Sequence, residues 1–182
     1  MNKKVKEAIY KVYIEKDYKF FKDMCFSMPS YLELLENTIS KYSKEYEIYK
    51  IKGEPEITFY INYDNYNYDK FSIEYSTILN ISKICNVYYI QHEFSIDNIN
   101  PNKIMNTLDN FSDKPYNLKQ FKMEKEIIEI LSNLNLERIY LNDLDEVVNL
   151  CMPEESEHLF GKQITVHELL FNDLYYICEN NL

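Results

Sequence analysis

Apolar and polar positions recur along this chain with two different periods, and the changes between them mark out its elements. Residues 3–23 place Val5, Ala8, Ile9, Val12 and Tyr13 at helical spacing, which predicts an opening amphipathic helix. A second helix is predicted from Ser30, where Ser30 and Glu33 make an S-x-x-E capping box ahead of Leu32, Leu35, Ile39 and Tyr42. The period then falls to two. Glu47–Ile51 and Ile57–Tyr63 alternate on either side of Gly53-Glu54-Pro55, a turn between strands. Asn62–Asp69 is polar, tyrosine-rich and turn-forming. Phe71, Ile73 and Tyr75 alternate again, and a strand-like run follows from Ile84 to Phe94. Four antiparallel strands in a meander are the simplest arrangement of these segments.

Helical signals then return. Asn100-Pro101 gives an N-cap followed by proline at the first helical position, predicting a short helix through Leu108, with Phe111–Pro115 as a loop. Leu118–Leu134 is the clearest helix, with Phe121, Ile127, Ile128, Ile130, Leu131 and Leu134 as its apolar positions. Glu137–Leu141 reads as a short strand, and Asn142 as the cap of a helix over Asp143–Leu150 that Pro153 ends. Thr165 and Glu168 make a second capping box before Leu169, Leu170 and Phe171. Strands cluster between helices instead of alternating with them, so the expected fold is α+β: N-terminal helices, a central sheet of about four strands, and C-terminal helices with a late strand. No repeat or low-complexity linker divides residues 1–182, which are expected to form one domain.

Charge changes this picture most. From Glu137 to Leu182 ten acidic side chains face only Arg138 and Lys162. Residues 1–50 carry a net +2, residues 51–100 a net −4 and residues 101–182 a net −8, for a total of −10. Such a field repels nucleic acid and anionic membranes and favours a basic partner. The wealth of Asn, Tyr, Lys and Ile reflects an AT-rich gene, so the eighteen tyrosines are not evidence of an aromatic platform. That bias favours Lys as much as Asp or Glu, and therefore does not account for the acidity.

Scarcity excludes mechanisms. Gly53 and Gly161 are the only glycines and Arg138 the only arginine, so neither a phosphate-cradling glycine loop nor a bidentate phosphate cluster is available. Cys25, Cys85, Cys151 and Cys178 are widely spaced and contain no CxxC pair, which is not metal-ligand spacing. The start MNKKVKEAIY lacks the apolar core of a signal peptide, and no apolar run approaches the ~20 residues of a membrane span. A cytoplasmic protein with reduced, structural thiols and no cofactor is expected.

The densest candidate constellation is Asp143, Asp145 and Glu146 with Glu154, Glu155 and Glu157, six carboxylates between Arg138 and Lys162 with no base among them. A solvated surface, a protein-binding patch and a divalent-metal site are its three readings; the glycine and ligand alternation of a calcium loop are missing. Of the histidines, His92 lies in an apolar strand and His167 inside a capping box, and no HExxH occurs. Cys151 and His158 are surrounded by acids, which would raise the thiol pKa and oppose a reactive thiolate.

The segments ERIYLNDLDEVV, from Glu137, and ITVHELLFNDLYY, from Ile164, resemble bacterial immunity proteins of polymorphic toxin systems. The resemblance implies a binding protein without catalytic residues, which occludes a cognate, often basic, toxin domain through an acidic surface. On that reading Asp143, Asp145, Glu146, Glu154, Glu155 and Glu157 form the partner-binding surface. The alternatives are a small metal-dependent hydrolase that joins His158 or His167 to several carboxylates, and a cytosolic regulatory or scaffold protein.

Overall fold

A computed structural model describes residues 1–98, 100, 107–150 and 163–174. The chain opens with α1 (Lys3–Ile9), whose N-terminus is capped by the Asn2 side chain, and runs on through a π-helical turn at Tyr10–Ile14. Lys16, at φ 55°, breaks the path before α2 (Tyr18–Phe26), so the single opening helix expected over residues 3–23 is two. α3 (Leu32–Ile39) begins after Tyr31 without a side-chain cap, and the Ser30–Glu33 box does not form. Burial of Leu32, Leu35 and Ile39 sets this helix instead.

The strands follow as β1 (Glu45–Tyr49), β2 (Glu56–Asn62), β3 (Tyr66–Tyr68), β4 (Phe71–Ser82), β5 (Val87–Asn98) and β6 (Thr107–Ser112). After α4 (Leu118–Asn133) come β7 (Glu137–Arg138), α5 (Leu141–Leu144), β8 (Val147–Val148), β9 (Ile164–Thr165) and α6 (Val166–Phe171). The fold is α+β, with a seven-stranded sheet where about four strands were expected. Its order is β1-β2-β4-β5-β6, all antiparallel; β3 adds to β4, and β7 lies parallel to the start of β5. β8 and β9 form a separate ribbon.

Three expectations are corrected here. Leu108 and Phe111 belong to β6, not to a helix and a loop; the Pro101 start of that helix lies outside the described residues. The helix expected over Asp143–Leu150 is the single turn α5, because Val147 and Val148 pair with β9. In α4 the buried positions are Gln120, Met123, Glu124, Ile127 and Leu131, while Phe121 and Leu134 are exposed. The Thr165–Glu168 capping box forms as expected.

Period-two alternation sends alternate rows to opposite faces of the sheet. On one face Ile57, Phe59 and Ile61 align with Ile81, Leu79 and Thr77 of β4, and these with Tyr88, Ile90 and His92 of β5. α3 and α4 cover this face through Leu35, Ile39, Met123, Ile127 and Leu131. On the other face α1, α2 and α6 pack over Val87 and Tyr89 with Val5, Ile9, Val12, Phe21, Leu169 and Phe171. Three side chains fasten this second layer: Tyr13 OH to the Leu169 carbonyl at 2.8 Å, Ser82 Oγ to the Leu170 carbonyl at 3.0 Å, and buried Lys83 Nζ to the Cys25 and Ile51 carbonyls at 3.0 Å each. Cys25 and Cys85 are buried free thiols, both pushed up to about 12 chiefly by burial.

The first face also contains charge. His92 is fully buried; its Nδ1 lies 2.9 Å from Thr77 Oγ1 and its Nε2 3.4 Å from Glu124 Oε1. Arg138 of β7 places Nη1 2.8 Å from the same carboxylate and donates from Nη2 to the Asp113 carbonyl. Burial pushes the Glu124 carboxyl up, but the His92 ring and the Arg138 guanidinium outweigh it and hold the group below its ordinary value. Glu124 therefore contributes stability above the unfolded carboxylate pKa, and that contribution is lost as pH falls through the folded one. Arg138→Met strands a buried carboxylate and is expected to cost about 3–5 kcal/mol in urea unfolding. The double variant with Glu124→Leu is expected to lose less; an equal or larger loss would refute the unpaired-charge explanation.

Candidate partner-binding face

The second helical layer covers only the end of the sheet near Ser82 and Val87. Toward the opposite end of β4 and β5 that face is open, and the strand register assembles its side chains into rows. Glu45, Asn62, Ser76, Glu93 and Phe111 form one row, contributed by β1, β2, β4, β5 and β6 in turn. Glu74, Ser95 and Asp109 form the next. Together they line a concavity of about 700 Å³, whose aromatic surface on this face is the Phe111 ring; Tyr63, Tyr75 and Phe94 also border it, but their rings turn to the α4 face.

The lining contains Glu45, Glu74, Glu93 and Asp109 and no Lys, Arg or His. Two of these carboxylates are held by neutral donors. Glu93 accepts from Ser76 Oγ at 2.9 Å and Gln91 Nε2 at 2.6 Å, and Glu74 accepts from Asn65 Nδ2 at 2.8 Å. Such bonds fix orientation while leaving the negative charge uncompensated. Fixed like charges on a concave surface focus a field that attracts cations and basic side chains.

A second polar constellation sits where the open face meets α6. Thr58 Oγ1 donates to Asn80 Oδ1 at 2.5 Å, Asn80 Nδ2 to Tyr89 OH at 2.8 Å, and Tyr89 OH lies 3.3 Å from His167 Nε2. Burial pushes the Tyr89 phenol up to about 12 and lowers the His167 imidazole, against the opposing pull of Glu168 and Asp145. Burial also pushes the neighbouring Glu56 carboxyl up to about 7, although hydrogen bonds with Thr58 and Asn80 pull it back. These groups form a nearly uncharged bridge from sheet to helix.

The sequence-predicted surface is only partly in view. Asp143 Oδ2 accepts from the Tyr140 amide at 3.0 Å and so caps α5. Glu146 pairs with the Met1 ammonium. Asp145 contributes to the field at His167. Glu154, Glu155 and Glu157 lie outside the described residues, as do His158, Cys151 and Cys178. None of the three described carboxylates lines the concavity.

No family model, curated protein or solved structure matches the chain. Among the described residues no group of three or more His, Cys, Asp or Glu is placed to hold a metal ion, and no helix is long and apolar enough to cross a membrane. The acidic lining of the open face was missed in the sequence because its members are far apart along the chain. No local pattern announces it, because the rows that join Glu45 to Asn62 and Glu93 to Ser76 require the strand register.

The raised Glu56 pKa makes a signed prediction. The folded state binds this proton more tightly than the unfolded chain, so the group's penalty is largest above pH 7 and disappears as pH falls from about 7 toward its ordinary 4.5. His167 acts oppositely, because its lowered pKa removes stability as pH falls below its ordinary value. Glu56→Gln isolates the first effect. It is expected to gain about 1 kcal/mol over wild type at pH 8, after allowance for water's access to the carboxyl, and little at pH 5. A gain independent of pH would contradict this assignment.

Proposed function

We propose that this chain is an immunity-type binding protein that neutralises a cognate basic toxin domain by direct occlusion. The observation that carries the reading is the open sheet face, where four carboxylates line one concavity with no base among them. A surface of this sign accelerates encounter with a basic partner and discriminates against acidic ones. The exposed Phe111 ring beside it supplies area that desolvates on contact. The net −8 charge of residues 101–182 favours the same kind of partner. This description requires no catalytic residue, since blocking an active site needs only affinity and position.

Survival on co-expression tests the function itself. Inducing the open reading frame beside this gene in a bacterial host is expected to be toxic alone and harmless with this protein, with a stoichiometric complex recovered. A harmless neighbour and no complex would reject the reading. The docking surface is tested by association kinetics with that partner. Neutralising Glu45, Glu74, Glu93 and Asp109 to their amides is expected to slow association roughly tenfold at low salt and flatten its salt dependence. Slowing confined to the Asp143→Asn, Asp145→Asn, Glu146→Gln variant would instead place docking on the C-terminal stretch.

A further inference from the structure

We propose that the free edge of β6 accepts an extended segment of the partner as an added strand, basic on its concavity-facing side and apolar on the other. The inference rests on the basic-partner reading above and specifies how that partner is held.

The orientation of the β6 backbone follows from the ladder. Gln120 Nε2 donates to the Ser76 carbonyl at 2.8 Å and the Glu93 carbonyl at 3.3 Å, which places both carbonyls between β4 and β5. Antiparallel pairs alternate between bonded and non-bonded. Glu93 therefore directs its backbone groups to β4, and its partner Phe111 directs its own away from β5. The same alternation turns the backbone of Asp109 outward. Consistently, the Phe111 amide donates not to β5 but to the Asn110 side chain at 2.9 Å. Among the described residues no strand pairs with this side of β6.

Natural sheet edges are usually blunted with lysine, proline or a bulge. β6, TLDNFS, has neither Lys nor Pro, and presents Leu108 at 63% and Phe111 at 60% exposure. The other edge, β1, differs in charge: Glu45 and Glu47 alternate along it, and Lys50 just beyond it pairs with Glu36. Side chains of an added strand would alternate. One set would lie beside Asp109 and Phe111, toward Glu74 and Glu93, where only basic residues relieve the charge. The other set would lie beside Leu108, where apolar residues fit. Main-chain bonds would supply affinity and this alternation selectivity. A second copy of β6 is disfavoured, because it would bring another Asp109 to an already acidic face.

The probe is an acetylated heptapeptide alternating Lys and Val, with Glu replacing Lys in the control, followed by fluorescence anisotropy and amide hydrogen exchange. Phe111→Ala removes the ring alone, whereas Phe111→Pro also removes the outward amide without breaking a bond to β5. Expected are binding of the lysine peptide, slowed exchange of the Asp109 amide, and roughly five- to tenfold weaker binding by Phe111→Pro than by Phe111→Ala. The exchange result on the wild type holds even if the proline variant fails to fold. Equal binding by the two variants with an unprotected Asp109 amide overturns strand addition; if Glu74→Gln and Glu93→Gln still weaken binding, the basic-partner reading survives. No binding of the lysine peptide at millimolar concentration also overturns strand addition, and the survival assay then decides the function separately.

Discussion

The sheet is longer than the helices that cover it. β4 and β5 run twelve residues each, about 40 Å of strand, whereas α1, α2 and α6, which cover the face of the candidate site, have seven, nine and six residues and span at most about 14 Å each. Covered rows need apolar residues, and on the face of the candidate site Val87 and Tyr89 lie at the end that has this cover. Toward the other end the cover stops and the rows become Glu, Asn, Ser and Asp, with Tyr66, Tyr68 and Phe71 exposed. The position of the candidate site thus follows from a mismatch in length between two kinds of element. The core ends there, and a surface able to meet another molecule begins.

The two faces solve the problem of buried polarity in different ways. Under α4 the charges of Glu124 and Arg138 are brought together beside His92. Under α6 the Asn80–Tyr89–His167 bridge is made of groups that burial keeps neutral. Both arrangements depend on register. A slip of one residue between β4 and β5 would turn His92 away from Glu124 and Tyr89 away from His167, leaving each unpaired in the interior. Apolar rows alone tolerate such slips more easily, so these polar groups help to specify one pairing.

How much of this was legible in the sequence depended on how local the signal was. Alternation in Ile57–Tyr63 and the strand-like run Ile84–Phe94 marked β2 and most of β5, and Thr165 with Glu168 located α6, because each pattern is complete within a few residues. The helix expected from Asn100-Pro101 runs too far, since Thr107 and Leu108 belong to a strand fixed by pairing with β5. Phe121 and Leu134 were read as apolar-face positions, yet Gln120 and Glu124 take buried places because the sheet offers them the Ser76 and Glu93 carbonyls and Arg138. The acidic C-terminal run was visible as composition, but Asp143 and Glu146 are engaged in a cap and an ion pair. The concavity was not visible at all, because Glu45, Glu74, Glu93 and Asp109 become neighbours only once strand register is known.

The fastening of the second helical layer has a consequence for the order in which the chain assembles. Tyr13 bonds to Leu169, and the Lys83 ammonium bonds to carbonyls of Cys25 and Ile51. α1 leaves the ribosome before α6, on which it finds final contacts, and α2 before Lys83, so both precede their partners in synthesis. During synthesis α1 and α2 must wait, with Val5, Ile9, Val12 and Phe21 still seeking cover, while the meander forms locally between them and their destination. The native N-terminal layer is therefore a late, long-range closure over an already formed sheet, and this stage of biogenesis is the one most exposed to misassociation.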